Sequence, residues 1–458
     1  IFSKMKKNLF YFFSLLFVFS VHSQGLEDAV RYSDGDTQGT ARFKAMAGAF
    51  GALGADISGI SINPAGAAIF NTSQGVLSAS TKNNQKDALY GGGMANSSSN
   101  DIDLHQVGAA FVFKNNKKNS PWKKLVLSLF YEQLQDFNSR FSVQGNTSNT
   151  IGSYFENYAN GLQLGDIIAF DGETIPQAYS DIGSSFGYSN QQAFLGYYSY
   201  ILEPASEDLD NTSYGSNIAP GNFNQRYDYL SQGNNGKFSV NMALQYNEKI
   251  HLGLNLNSHF IDFEENTLLF EENTNTGSLI NEVNFENMLY TNGEGFSLQF
   301  GTIIKLTDEF RFGFSYTSPT WLTLREESTQ YLATVNDTDG ESYVVNPSVI
   351  NIFPDYKLKT PGNITGSLAY IFGKSGLISF DYSRKKSNNP NPCYKYIPVS
   401  EFPSSSRDLS FSISDYSNSE KLQNYLLNFE NKLIKEIFIF DYFFNEKNKE
   451  IKVGFRLT

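Results

Sequence analysis

HLGLNLNSHFIDF, His251 to Phe263, alternates along an extended chain: Leu252, Leu254, Leu256 and Phe260 fall on one face, His251, Asn255, Asn257 and His259 on the other. One face is apolar and the other polar. The same split recurs at 238–246, where Phe238, Val240, Met242, Leu244 and Tyr246 oppose Ser239, Asn241, Ala243 and Gln245, and at 310–317, where Phe310, Phe312, Phe314 and Tyr316 oppose Arg311, Gly313, Ser315 and Thr317. Stretches 125–131, 296–306, 364–372 and 378–383 continue it. Most of these segments match a tilted membrane-crossing strand, which needs about 9–11 residues. A soluble sandwich also alternates, but its strands run to about 5–6 residues, and a chain this long would need several such domains joined by linkers that are absent here. A closed barrel puts the apolar face on lipid and the polar face in a lumen, and closure leaves no sheet edge unpaired. The expected fold class is all-β, an antiparallel transmembrane β-barrel.

Composition agrees. Mean hydropathy is −0.34 although aromatic residues make up 15% of the chain, with 40 Phe and 27 Tyr against 2 Trp. Aromatic side chains spread through polar alternating strands suit a barrel with interfacial girdles. A net charge of −12 argues against nucleic acid as a partner, which would need a basic face. One cysteine, Cys393, excludes a disulfide framework, and four histidines supply metal chemistry poorly. No metal and no cofactor are expected, and the chain is expected to be a monomer.

At the amino end, Lys6 and Lys7 precede an apolar run from Leu9 to Val21 and a cleavage zone at 22–24, with Met5 the expected start. Residues 1–23 read as a signal peptide; the apolar run is too short for a membrane anchor, which needs about 20 residues. The stretch 39–71, GTARFKAMAGAFGALGADISGISINPAGAAIFN, then breaks the alternation. It is small, apolar and glycine-rich, with neither strand nor helix periodicity, and reads as irregular backbone packed inside something larger. Pro64 fixes its own φ and keeps Asn63 out of the helical region, while Ala65 and Gly66 allow close backbone approach.

The run Gly39, Ala41, Arg42, Gly48, Ala49, Gly51, Ala52 and Gly54, followed by Asp56, Ser58, Asn63, Pro64, Ala65 and Gly66, resembles the amino-terminal hatch of the FadL-like outer-membrane transporters of long-chain fatty acids and other hydrophobic compounds. Fainter echoes lie at 312–319 and 360–370. The resemblance implies a plug at 24–73 inside a barrel spanning 74–458, with about 14 strands. That number fits the arithmetic: roughly 375 residues at about 20–25 per strand and loop give some 14–18. It also implies passive uptake of a hydrophobic small molecule across an outer membrane, with outer-membrane lipid as surroundings. Asn63, Pro64, Ala65 and Gly66 would belong to the gating segment, enclosed and little exposed; Phe43, Phe50, Ile60 and Phe70 are candidates for its apolar lining.

Residues 145–236 form a long insertion, polar and aromatic, with a possible short helix at 191–202; a lid or binding surface is expected of a loop this long. After Lys386 the alternation fails: Leu422, Leu426, Phe429 and Leu433 fall at helical spacing, only 408–416, 436–444 and 450–457 pass as strands, and the last residue is Thr458 in place of a terminal aromatic. Two explanations stand for this part, a frameshifted or divergent segment and an unusual but genuine end. Catalysis is not expected, since His105, His251 and His259 are the only bases available to a nucleophile and no nucleophile-elbow motif occurs. Two other functions remain open: a scaffold or shuttle barrel for secreted proteins, and haem uptake, for which no paired ligand motif exists.

Overall fold

The computed structural model describes residues 31–32, 37–117, 119–336 and 340–386, and the backbone of 407–413, 437–445 and 450–457. The signal-peptide reading, Cys393 and the helical spacing at 422–433 fall outside these residues. The chain divides into two compact units: Ile1–Ile151, Asp171–Ser180 and Ile218–Pro390 form the first, and Gly152–Phe170, Asp181–Asn217 and Asn391–Thr458 the second. No described helix is long and apolar enough to cross a membrane.

The first unit opens with β1 (Gln74–Tyr90), β2 (Gly93–Lys114), β3 (Trp122–Asp136) and β4 (Ser139–Thr147). Two short strands of the second unit follow, β5 (Leu202–Pro204) and β6 (Tyr214–Ser216). Then come β7 (Phe223–Tyr246), β8 (Ile250–Glu272), β9 (Ile280–Lys305), β10 (Phe310–Thr317) and β11 (Trp321–Asn336). The last of the first unit are β12 (Ser342–Val345), β13 (Asn351–Ile352), β14 (Tyr356–Lys359), β15 (Gly362–Ile371) and β16 (Leu377–Lys386).

These make one antiparallel 14-stranded sheet, the expected class and number. Several strands are collinear. β3 and β4 lie end to end along one side of β7, β10 and β11 along one side of β9, and β12 to β15 continue one another along β11 and β10. The sheet is therefore nine rows wide, and its long rows, with β7, β8 and β9 at 24, 23 and 26 residues, far exceed a membrane crossing.

The length explains where the sequence reading stopped short. β8 was expected to end at Phe263 and β9 to begin at Phe296, and β7 was legible only from Phe238. Past those points the outward face turns polar or charged, as at Asp262, Glu264, Asn292 and Glu294, so the apolar-outward alternation ends although pairing continues without a break. For the same reason the insertion is shorter than expected: β4 reaches Thr147 and β7 starts at Phe223, leaving 148–222 outside the large sheet.

Between Gly39 and Asn71 the chain forms a short helix, Ala41–Ala45, capped by Thr40, and two 3₁₀ turns, Ser58–Ser61 and Pro64–Ile69. Its hydrogen-bond partners include Gln106 on β2, Lys124 and Glu132 on β3, Asn241 on β7, Asn255 on β8, Gln299 on β9, Ser315 on β10 and Asp381 on β16. A single short segment can reach nearly every row, including the edge row β16 and the row next to the other edge, only if the sheet curls round it.

The second unit pairs β5 with β6, and packs helix Gly152–Ala159 with helix Tyr188–Tyr198 through a Tyr154–Gln192 hydrogen bond of 3.0 Å. The helix expected at 191–202 sits a few residues earlier, because Leu202 is taken by β5. Its remaining strands, β17 (Arg407–Ile413), β18 (Ile437–Asn445) and β19 (Glu450–Leu457), form a separate antiparallel sheet in the order β17, β19, β18.

Candidate functional site

The segment Ser58–Phe70 meets the wall through a row of side-chain amides. Asn241, Asn255 and Gln299 stand opposite one another on β7, β8 and β9, on the polar face. Asn241 Nδ2 donates to Asn255 Oδ1 at 2.7 Å and Asn255 Nδ2 to Gln299 Oε1 at 2.9 Å. The same amides turn to the segment: Asn241 Nδ2 donates to the Pro64 carbonyl (3.1 Å), Asn255 Nδ2 to that of Ile60 (3.0 Å), and Gln299 Nε2 to those of Ser61 and Ile62 (2.8 and 3.1 Å). Carbonyls of irregular backbone have no ladder of their own, and buried ones must find a donor. A strand offers donors of suitable reach at every second residue, and Asn and Gln carry two N–H groups each, enough to bond a neighbour and the segment together.

Asn63 performs the reciprocal task from inside the segment. Held extended before Pro64, it accepts from Ala65 N–H at 3.0 Å, capping the 3₁₀ turn. Its Nδ2 donates to the Gly51 and Thr302 carbonyls at 2.7 and 3.0 Å. The wall makes room with glycine: a Cβ on Gly253 would stand 2.2 Å from the Pro64 carbonyl carbon, and one on Gly301 2.0 Å from Asn63 Oδ1. Asn63, Pro64, Ala65 and Gly66 are all buried.

Further contacts fasten both ends. Lys124 Nζ donates to the Ala68 and Phe70 carbonyls at 3.0 and 2.7 Å, holding the end of the turn that starts at Pro64. Arg311 donates to the Leu53 carbonyl, and Gly51 N–H donates to Asp381 Oδ2 at 2.9 Å. Ser61 Oγ donates to Glu132, which also pairs with Lys237 Nζ at 3.2 Å. Asp56, Ser58 and Thr40 bond one another, and Ser58 Oγ reaches Gln106.

The four aromatic and aliphatic candidates do not converge. Phe43 and Phe50 pack together at 5.5 Å between ring centres, with Ala52, Leu53 and Ala369. Ile60 and Phe70 belong to a different cluster, with Ile57, Val126, Phe130 and Ala243. All four are packed core, at 3% exposure or less. A groove of about 760 Å³ elsewhere is lined by Phe141, Tyr229, Leu268, Met288 and Tyr331 among others, and by no residue of the segment.

Asn255 and Asn257, read as facing a wet lumen, are buried, the first against the segment and the second bonded to Ser297. Sequence reasoning passed over Asn241, Gln299 and Lys124. The available signal was an amide in the middle of a strand, a place that residue type disfavours. It also passed over two serine–histidine pairs, Ser80 with His105 (2.5 Å) and Ser297 with His259 (2.8 Å).

No family model matches the chain, and no curated protein matches it. Among solved structures the chain is similar to a CymD monoaromatic hydrocarbon channel, at 12% identity and a TM-score of 0.30, covering 75% of this chain and 92% of that one.

Replacing Asn255 by Leu strips a donor from both the Ile60 carbonyl and Gln299. An unsatisfied buried group costs about 1–3 kcal/mol, so N255L should lower stability by about that much in urea titrations of the full chain. Replacing Asn266, on the same strand but away from the segment, should cost well under that.

Proposed function

We propose that the chain is an outer-membrane channel for passive uptake of hydrophobic small molecules such as long-chain fatty acids, with residues 24–73 as its hatch. The observation that carries the membrane placement is a pair of aromatic clusters on the apolar face. Trp122 and Tyr246 pack at 5.1 Å near one end of β3 and β7, and Tyr131, Phe238 and Phe260 pack within 6.0 Å of one another farther along. From Phe238 to Tyr246 is about nine residues of strand, enough for an apolar band about 25 Å tall. Val240, Met242, Leu127, Leu129, Leu254 and Leu256 fill that band and are exposed or nearly so. Large apolar side chains in such number on one face call for lipid as their solvent.

The hatch resemblance supports the transport part, and so does the buried position of the Asn63–Gly66 turn. Cargo would pass when this segment shifts, since a solute can move only a conformational equilibrium in whose states it binds unequally. No cofactor or catalytic step enters the proposal. A second reading, a scaffold or shuttle barrel for secreted proteins, draws support from the polar, filled contact between segment and wall, with its buried Glu132–Lys237 pair.

Two experiments check the proposal. Met242→Arg, centred in the band, should destabilise the protein in phospholipid vesicles by about 2–4 kcal/mol, whereas Asn266→Arg, beyond the band on β8, should cost at most about 1 kcal/mol. Equal costs would contradict the band. Pro64→Gly removes a restriction on local backbone freedom worth about 0.4–1 kcal/mol and touches no strand pairing. Cells carrying it should stay intact in barrel content but change in oleate uptake or small-solute leakage; unchanged values for both would favour the scaffold.

A further inference from the structure

Pairing between β2 and β3 stops at Gln106–Glu132, although β2 comes in through Ile102, Asp103 and Leu104 and β3 runs on to Asp136. Each strand carries an extra residue next to the last pair, His105 in its pairing with β1 and Leu134 in its pairing with β7. A bulge bends its strand and adds twist, so two bulges side by side part the rows. The slot between them has a volume of about 390 Å³.

Three acceptor groups line it. Asp103 and Gln133 are 8% and 7% exposed, and among the described residues Asp103 Oδ2 and Gln133 Oε1 find no hydrogen-bond donor. Asp136 is the third, with its Oδ1 accepting the Asn138 N–H at 3.0 Å. A buried acceptor without a donor is costly, and such groups in a native fold call for a partner. Burial pushes the Asp136 carboxyl up; the Asn138 N–H and Lys82 oppose this, while Asp103 and Asp101 add to it. Lys86, close enough to feel Asp136 and Asp101, is bonded to Ser139 Oγ at 2.5 Å. Three carboxylates thus meet two ammonium groups, which leaves one negative charge over.

The outward side of the slot is apolar. Tyr131, a member of the aromatic cluster that bounds the band, lines it, and so do Ile102 and Leu104, at 82% and 47% exposure. Aromatic residues of this kind mark the level of the lipid headgroups.

We propose that the slot between β2 and β3 holds the primary ammonium head of a membrane phospholipid, whose acyl chains run from Leu104 past Tyr131 onto the band. The inference rests on the membrane placement and adds a lipid site to it. An alkylammonium offers three N–H donors and no acceptor, a match for Asp103, Gln133 and Asp136, and bonds to carboxylates are charge-assisted. A quaternary ammonium carries the same charge but no donor, and leaves the two orphaned oxygens as they are. A metal ion fits less well: calcium takes about 6–8 oxygens, and among the described residues no group of three or more His, Cys, Asp and Glu side chains is placed to hold one.

The test uses the full chain in non-ionic detergent with equal amounts of dioleoylphosphatidylethanolamine and dioleoylphosphatidylcholine, and reads the lipid retained by native mass spectrometry. The unaltered protein should retain the ethanolamine lipid roughly fivefold or more over the choline lipid. Gln133→Leu and Asp103→Asn should each abolish most of this preference, while Glu264→Gln, on the outward face of β8, should leave it unchanged. The comparison of headgroups on the unaltered protein stands even where a variant fails to fold. Equal retention of the two lipids, an unchanged preference in folded Gln133→Leu and Asp103→Asn, or displacement of the lipid by millimolar calcium would overturn the site. Selective retention of dodecylamine over dodecyltrimethylammonium without any preference between the phospholipids would put a soluble amine in the slot and overturn the lipid. Uptake assays separate this from the function itself: the preference without oleate uptake supports the lipid site and counts against the channel, and uptake without the preference does the reverse.

Discussion

Irregular backbone enclosed by a sheet must find hydrogen-bond partners outside itself, and the amide row Asn241–Asn255–Gln299 meets that constraint. Each net hydrogen bond is worth about 0.5–1.5 kcal/mol, but an orphaned buried carbonyl costs about 1–3 kcal/mol, so loss matters more than gain. The row also fixes register. Its members are in step because β7, β8 and β9 pair as they do, and a slip of one residue on β7, β8 or β9 would bring an apolar neighbour such as Val240, Leu254 or Leu298 in place of an amide. Segment and wall therefore specify each other: glycines at 253 and 301 admit the Asn63–Pro64 backbone, and the amides then hold it.

The two faces of the sheet answer to different solvents. On the inner face Asn241, Asn255 and Gln299 are buried and bonded to one another; on the outer face Phe238, Val240 and Met242 stand open, bounded by aromatic clusters. Beyond the second cluster the strands continue with charge on the outside, as at Asp262 and Glu294.

What was legible in the sequence follows from this division. Where one face meets an apolar solvent, as at Phe238–Tyr246, period-two patterning marks the strand and its inward side. Where neither face carries a regular apolar series, as at Phe223–Gly236, nothing in the pattern separates strand from loop, and only pairing with β4 and β8 reveals it. The Asn-Pro-Ala turn was visible because its residue types restrict the backbone locally. The partners of that turn were not, since Asn255 beside water and Asn255 beside a carbonyl are the same letter. Phe43, Phe50, Ile60 and Phe70 are apolar, and hydrophobicity does not say whether a side chain lines a route or fills a core.

The central claim is that residues 59–66 are enclosed by the wall and bonded to it on several rows. Hydrogen–deuterium exchange of the intact protein in lipid nanodiscs measures this directly. The account expects amides of Gly59 to Gly66 to exchange as slowly as those of β8, and N255L to speed them selectively while β8 stays protected. Exchange of this stretch within seconds in the unaltered protein, at the rate of a surface loop, would contradict it.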